Sequence, residues 1–237
     1  MILLGHRGAR KYAPENTIAA FEQALADGCD GFEFDVRLTV DRKAVICHDP
    51  KLKRLEVARA SYEQLRERCR EVADLEEVIS KFHDRAFLNI ELKVPGAEEL
   101  VLRALEKHPP GKGVVVSSFL PEVVVRLHSL GSRWESGLIC ENRGQLAKWK
   151  KLPVKAVMVE RKLVEGFVRE LKTPPSAKAA EDGAPARDGA PNRDGIPARP
   201  RIFVWTVNSA REMKKLAEMG VDGIISDDTK LLVETVG

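Results

Sequence analysis

The chain has 237 residues, enough for one complete (β/α)8 barrel and more than an ordinary small domain needs. Hydrophobic residues make up 43 % of it, the formal net charge is only +3 and both signs are mixed along the chain, so nothing in the charge pattern argues for nucleic acid as a partner. Cys29, Cys47, Cys69 and Cys140 form no CxxC pair, the N-terminal apolar run is too short for a secretory signal, and no stretch has membrane-spanning length; free thiols in a reducing cytoplasm are the expectation.

Short apolar runs alternate with amphipathic stretches along the whole chain, the pattern of repeated β–α units and a parallel sheet. Strands are predicted at 2–5, 31–36, 86–92, 113–117, 135–140, 155–159, 201–206 and 222–225. Helices are predicted at 17–27, 75–83, 97–107, 121–129, 143–150, 161–171, 209–219 and 228–235. This strict alternation fits a closed barrel better than an open sheet, so the expected fold is α/β, a single-domain (β/α)8 TIM barrel over 1–237. Pro14-Glu15-Asn16-Thr17 supplies a cap residue and an early acid for the helix carrying Ala20, Phe21, Ala24 and Leu25, and Gly28 closes that helix. Thr39 to His48 reads as a hairpin turning near Asp41-Arg42-Lys43, which returns His48 to the barrel mouth. Residues 174–200 differ from the rest: Asp182–Arg187, Asp188–Arg193 and Asp194–Arg199 are copies of one Asp-Gly-x-Pro-x-Arg hexapeptide, poor in apolar residues and charge-balanced. Such a composition predicts a flexible insertion before the seventh strand.

Strand side chains alternate faces, so Phe32-Glu33-Phe34-Asp35 puts both phenylalanines on one face and both carboxylates on the other. Ile90-Glu91-Leu92-Lys93 repeats the pattern on the next strand, with Glu91 and Lys93 inward. Inward carboxylates are expensive to keep ionised without a cation. Glu33, Asp35 and Glu91 together make a hard-oxygen cluster that suits Mg²⁺ or Ca²⁺ rather than zinc. The competing reading, a salt-bridge network neutralised by Lys93 and Arg7, explains any one acid better than all three at the catalytic end of a barrel.

His6-Arg7-Gly8 directly follows the first strand. His6 has a side chain suited to acid or base work, Arg7 carries the planar fork that grips phosphate, and Gly8 lets backbone approach an anion. His48 supplies a second imidazole across the same mouth, whereas His83, His108 and His128 lie on helices or helix ends and read as bystanders. Trp205 at the end of strand seven fits the floor of a site and barrel packing equally well, and Asn208 fits a helix cap and a substrate contact equally well.

In this order, His6-Arg7-Gly8, Pro14-Glu15-Asn16-Thr17 with Ala20-Phe21, Glu33-x-Asp35-Val36-x-x-Thr39-x-Asp41, Val45 and His48-Asp49 resemble the glycerophosphodiester phosphodiesterase family. Glu91-Leu92-Lys93, Ser118-Phe119, Trp205-Thr206-Val207-Asn208 and Gly220 to Asp227 continue the likeness over essentially the whole chain outside 174–200. The resemblance implies a TIM-barrel hydrolase that cleaves glycerophosphodiesters to glycerol 3-phosphate and an alcohol, with Glu33, Asp35 and Glu91 binding the divalent cation. It also implies His6 and His48 as general acid and base, Arg7 on the phosphate, and Lys93 supporting metal or phosphate. Attack by the glycerol 2-hydroxyl through a cyclic phosphate, which the resemblance suggests, and direct attack by water both stay open. Lysophospholipase D-type cleavage of lysoglycerophospholipids would use the same site. A non-catalytic phosphate-binding barrel would not need every acid and both histidines. The stretch from Pro50 to Arg85 departs from the family by being short and lacking its Arg-Thr-Thr-x-Gly pattern, which implies a more open mouth.

An interaction role for the repeats is separable from catalysis. Their sequence carries no periodic apolar face to compensate for the entropy of ordering them. Deleting 182–199 is therefore expected to leave the melting temperature and the turnover at saturating substrate nearly unchanged. A large loss of either would show that the segment supports the barrel or its site.

Overall fold

A computed structural model describes residues 1–172 and 199–237. The repeats 182–199, all but their last residue, lie outside the described residues. The strands are β1 Ile2–Gly5, β2 Gly31–Leu38, β3 Ala44–Ile46, β4 Lys51–Leu52, β5 Leu55–Glu56, β6 Phe87–Leu92, β7 Val114–Ser118, β8 Glu135–Cys140, β9 Ala156–Glu160, β10 Arg201–Trp205 and β11 Gly223–Ser226. The helices are α1 Ile18–Ala26, α2 Tyr62–Arg68, α3 Leu75–Phe82, α4 Glu98–Lys107, α5 Pro121–Ser129, α6 Arg143–Leu146, α7 Val164–Lys172, α8 Ala210–Met219 and α9 Thr229–Val236. β1, β2 and β6 to β11 pair in parallel in chain order, and β1 pairs with both β11 and β2, which closes an eight-stranded barrel. The predicted (β/α)8 barrel is the observed fold, with each predicted barrel strand within about two residues of its place.

The barrel builds two apolar layers. Inside lie Leu4, Phe87, Val115, Ile139, Met158, Phe203 and Ile225. Outside, the opposite faces of the strands meet the helices, and the alternation in β2 is as expected. Phe32 stacks on Phe21 of α1 with centroids 4.2 Å apart and meets Phe82 of α3 edge-on at 5.0 Å. The outward phenylalanines thus anchor two helices, which leaves their neighbours Glu33 and Asp35 no face but the interior.

β3 pairs antiparallel with β2, Val36 opposite Ile46, after a turn in which Arg42 adopts φ +61°. This hairpin and the excursion after it cover a small separate core of Val45, Cys47, Val57, Ala60, Leu65 and Val72. α2, which starts with a Ser61–Gln64 capping box, and the β4–β5 ribbon belong to this excursion and were not expected from apolar periodicity. Leu65 is the buried side chain of α2, too little for a periodic signal. The helix expected over 143–150 stops at Leu146, and Trp149–Lys151 forms a 3-10 turn instead. Lys148, Lys150 and Lys151 stay exposed there, so Leu146 and Trp149 carry the packing.

Among the described residues no helix is long and apolar enough to cross a membrane. All four cysteines are free. Burial pushes the Cys29 and Cys140 thiols up to about 12 and that of Cys47 to about 11, while Cys69 is half-buried. Thiolates are the reactive form. One cysteine, Cys69, is therefore expected to react quickly with an aromatic disulfide reagent in the native protein, and four in denaturant. Fast native labelling of more than one would show that the barrel opens locally.

Candidate active site

The carboxylate cluster arises from register. β2 and β6 align Glu33 with Asn89 and Asp35 with Glu91, so three acids share one end of the barrel interior. Each offers an oxygen, and these oxygens lie within 4.8 Å of one another. All three residues are buried. Asn16 and the loop after β1 hold them. The Asn16 amide donates to Asp35 Oδ2 at 2.8 Å and its Oδ1 accepts from the Asp35 N–H at 3.2 Å. The Arg7 N–H donates to Glu33 Oε2 at 2.9 Å. Both anchors use left-handed backbone, φ +55° at Arg7 and +58° at Asn16, a conformation that non-glycine residues hold only where surrounding contacts enforce it.

Two permanent cations face the acids. Lys93 Nζ lies 2.6 Å from Glu91 Oε1 and 3.0 Å from Asp35 Oδ1, and Arg7 Nε lies 3.3 Å from Asp35 Oδ2. They do not balance the cluster. Burial, with repulsion from Asp35 and Glu91, drives the Glu33 carboxyl well above its usual range, and burial with Asp35 pushes Glu91 up to about 7. Burial works to raise Asp35 too, but Lys93, Asn16 and Arg7 outweigh it and hold that carboxyl below its usual range. Glu33 Oε1 is buried and accepts no hydrogen bond, and Asp35 Oδ1, also buried, meets only the Lys93 ammonium. Crowded, desolvated oxygens with lone pairs to spare fit a hard divalent cation, which would relieve the penalty on Glu33 and Glu91 at once.

The two histidines flank this cluster, each with one nitrogen held. His6 Nδ1 lies 2.6 Å from Asp227 Oδ1, while Nε2 is turned toward Glu33 Oε2 at 4.0 Å. Asp227 is itself held by the Asn208 amide at 2.7 Å, and Asn208 Oδ1 accepts from the Asp227 N–H and the Ser226 hydroxyl. His48 Nδ1 lies 2.8 Å from Asp49 Oδ1, and Arg37 fixes the loop by donating to the His48 carbonyl. Burial lowers the His48 imidazole below its usual range against the pull of Asp35 and Asp49.

These groups line one cavity of about 300 Å³ with two unlike walls. His6, Arg7, Glu33, His48, Glu91 and Lys93 form the polar wall; Phe119, Ile139, Met158, Trp205 and Ile225 form most of the other, with Glu141 among them. Trp205 lines the cavity and also packs: it meets Phe119 edge-on at 5.7 Å, and its indole N–H donates to the Met158 carbonyl. His83, His108 and His128 are absent from the lining.

Some local expectations are corrected. Glu15 is no helix acid: it accepts from Arg7 at 2.8 Å and pairs with Arg10 at 3.0 Å, and Thr17 alone caps α1. Asn208 does not cap α8: Ser209 holds the cap position, and Asn208 Oδ1 already accepts from the Ser226 hydroxyl and the Asp227 N–H. Gly8 also has a packing reason to be glycine. It has φ +78°, and a Cβ there would lie 2.6 Å from the Ala20 backbone, so close packing of this loop on α1 is what excludes a side chain. Asp227, Asn16 and Glu141 had no assigned role in the sequence. The acid-rich Ser226-Asp227-Asp228 run just past the last strand was the available signal for Asp227.

Comparison with known proteins agrees with this architecture. The model of the Glycerophosphoryl diester phosphodiesterase family matches residues 6–231. A glycerophosphodiester phosphodiesterase of Caldanaerobacter subterraneus subsp. tengcongensis is 28 % identical over 99 % of this chain and 97 % of its own length. One from Bacillus altitudinis is 30 % identical over 95 % and 94 %. Among solved structures, a glycerophosphodiester phosphodiesterase from Thermotoga maritima superposes with TM-score 0.77 at 27 % identity, covering 99 % of this chain and 97 % of that one. An Oleispira antarctica phosphodiesterase, in complex with the product sn-glycerol-3-phosphate, does so with TM-score 0.75 at 23 % identity, covering 100 % and 96 %. With its motifs, its barrel and 226 consecutive positions, 6 through 231, under one family model, the chain belongs to the glycerophosphoryl diester phosphodiesterase family.

Proposed function

We propose that the protein hydrolyses glycerophosphodiesters to glycerol 3-phosphate and an alcohol, in the cytoplasm, with Mg²⁺ or Ca²⁺ held by Glu33, Asp35 and Glu91. The observation that carries this is a pair of histidines, each with a carboxylate on Nδ1, on either side of a buried acid cluster with unspent oxygens. The related phosphodiesterase that was solved with sn-glycerol-3-phosphate as product supports the choice of substrate.

When bound, the cation supplies Lewis-acid polarisation of a phosphate oxygen and neutralises charge developing on it. The chain supplies the rest. Arg7 and Lys93 face the same space and hold the phosphate as fixed positive groups. His48, which burial keeps neutral, takes the proton of the attacking hydroxyl. His6, which Asp227 holds at Nδ1, gives a proton from Nε2 to the departing alcohol oxygen. If the glycerol 2-hydroxyl attacks first, the same pair runs in reverse to open the cyclic phosphate with water. Asp49 and Asp227 fix which nitrogen carries the proton, so that each Nε2 works toward the substrate.

The test is a panel of glycerophosphodiesters incubated with the purified protein and Mg²⁺ or Ca²⁺, with free glycerol 3-phosphate measured. Its release from at least one diester is expected. Binding of the diesters without any hydrolysis would point instead to a phosphate-binding barrel.

A further inference from the structure

Resting on the phosphodiesterase reading, the structure assigns a second specificity to the same cavity: we infer that Glu141, with Phe119 and Trp205, selects diesters whose alcohol carries a positive charge, that is, amino alcohols. The case starts from the wall opposite the acid cluster. Ile139 on β8 points into the barrel, and Glu141, two residues on at the strand's end, continues on that face into the cavity. Among the described residues no hydrogen bond or ion pair is made by its side chain; its N–H alone is engaged, with Gln145. It is exposed at the cavity rim and free to meet a ligand.

Its neighbours offer no hydrogen bond. The single donor of Trp205 is spent on the Met158 carbonyl, so the indole presents its ring. Phe119 presents its ring too, and that ring already accepts a cation, with Lys93 Nζ 5.7 Å from its centroid. Aromatic rings beside a free carboxylate attract ammonium groups through the ring quadrupole and through charge. Neutral polyols gain nothing comparable there, and anionic alcohols are repelled.

The cavity is therefore polarised end to end. Arg7, Lys93 and the cation site take the phosphate; Glu141 lines the same cavity from beyond β8, two strands along from β6. A phosphodiester with an ammonium on its alcohol has the matching polarity, negative at the reacting centre and positive at the leaving group. Charge complementarity of this kind acts on discrimination between substrates more than on raw binding.

The experiment compares kcat/KM for glycerophosphoethanolamine and glycerophosphoglycerol in the metal-loaded enzyme, for wild type, Glu141→Gln and Glu141→Lys. The wild type is expected to favour the amine diester. Glu141→Gln is expected to lower the amine-to-glycerol ratio by roughly fivefold, the scale of an exposed ion pair, and Glu141→Lys to lower it further. The wild-type preference should also shrink as salt is raised, because exposed charges are screened. A ratio equal in all three proteins, with both diesters hydrolysed, overturns this inference and leaves the phosphodiesterase reading intact. Hydrolysis of neither diester by the wild type overturns both.

Discussion

Alanine at His6 or at His48 lowers kcat by about 10²–10⁴-fold while the barrel stays folded, the usual worth of a positioned acid or base. Each imidazole is held at one nitrogen only, by Asp227 or Asp49, and the other faces the cavity. Both rings line the cavity rather than the apolar core, so the barrel is expected to stay folded when either is truncated. The expected signature is a fall in kcat with far-UV circular dichroism and the thermal midpoint near wild type. Asp227→Asn extends the test. It keeps the size of the side chain but removes the carboxylate that holds His6 Nδ1, so kcat should drop with KM little changed. Near wild-type turnover in a folded His6→Ala or His48→Ala variant would remove that histidine from the chemistry.

Exhaustive chelation abolishes hydrolysis, and Mg²⁺ or Ca²⁺ restores it. The physical reason is the balance inside the barrel: three buried carboxylates face Arg7 and Lys93, and Glu33 Oε1 accepts no hydrogen bond. An added cation that binds only the folded chain should raise its stability, by about 2.7 kcal/mol at a hundredfold excess over Kd. Asp35→Asn keeps the side chain's shape next to Asn16 and removes the charge at the centre of the cluster. It should erase both the activity and most of the cation-dependent rise in Tm. Full turnover after chelation, with elemental analysis finding no bound metal, would end the metal assignment.

The barrel is legible in the sequence because its strands are covered on both faces, by helices outside and by one another inside, so each reads as a short apolar run. The acid cluster is legible for a related reason: Phe32 and Phe34 belong to the helix-facing layer, and alternation then sends Glu33 and Asp35 inward. Thr17 does start α1, but Glu15 is misread as a helix acid and Asn16 goes unassigned, because only the tertiary structure shows that Arg7 and Asp35 claim their side chains. The clamp of Asp227 on His6 spans 221 residues, beyond any local pattern. α2 and the β4–β5 ribbon are too short to carry a period.

That long clamp has a consequence for how activity is acquired during synthesis. β1 pairs with β11, Ile2 opposite Gly223, and His6 meets an acid that lies just beyond β11. Contacts so distant in sequence form late, because the intervening chain must be ordered before they close. A nascent chain that has released every acid of the cluster still lacks the partner of His6 until its last strand and the residues after it emerge. Turnover regained on refolding should therefore trail the return of helical signal and coincide with ring closure, which makes catalysis itself a reporter of the completed circle.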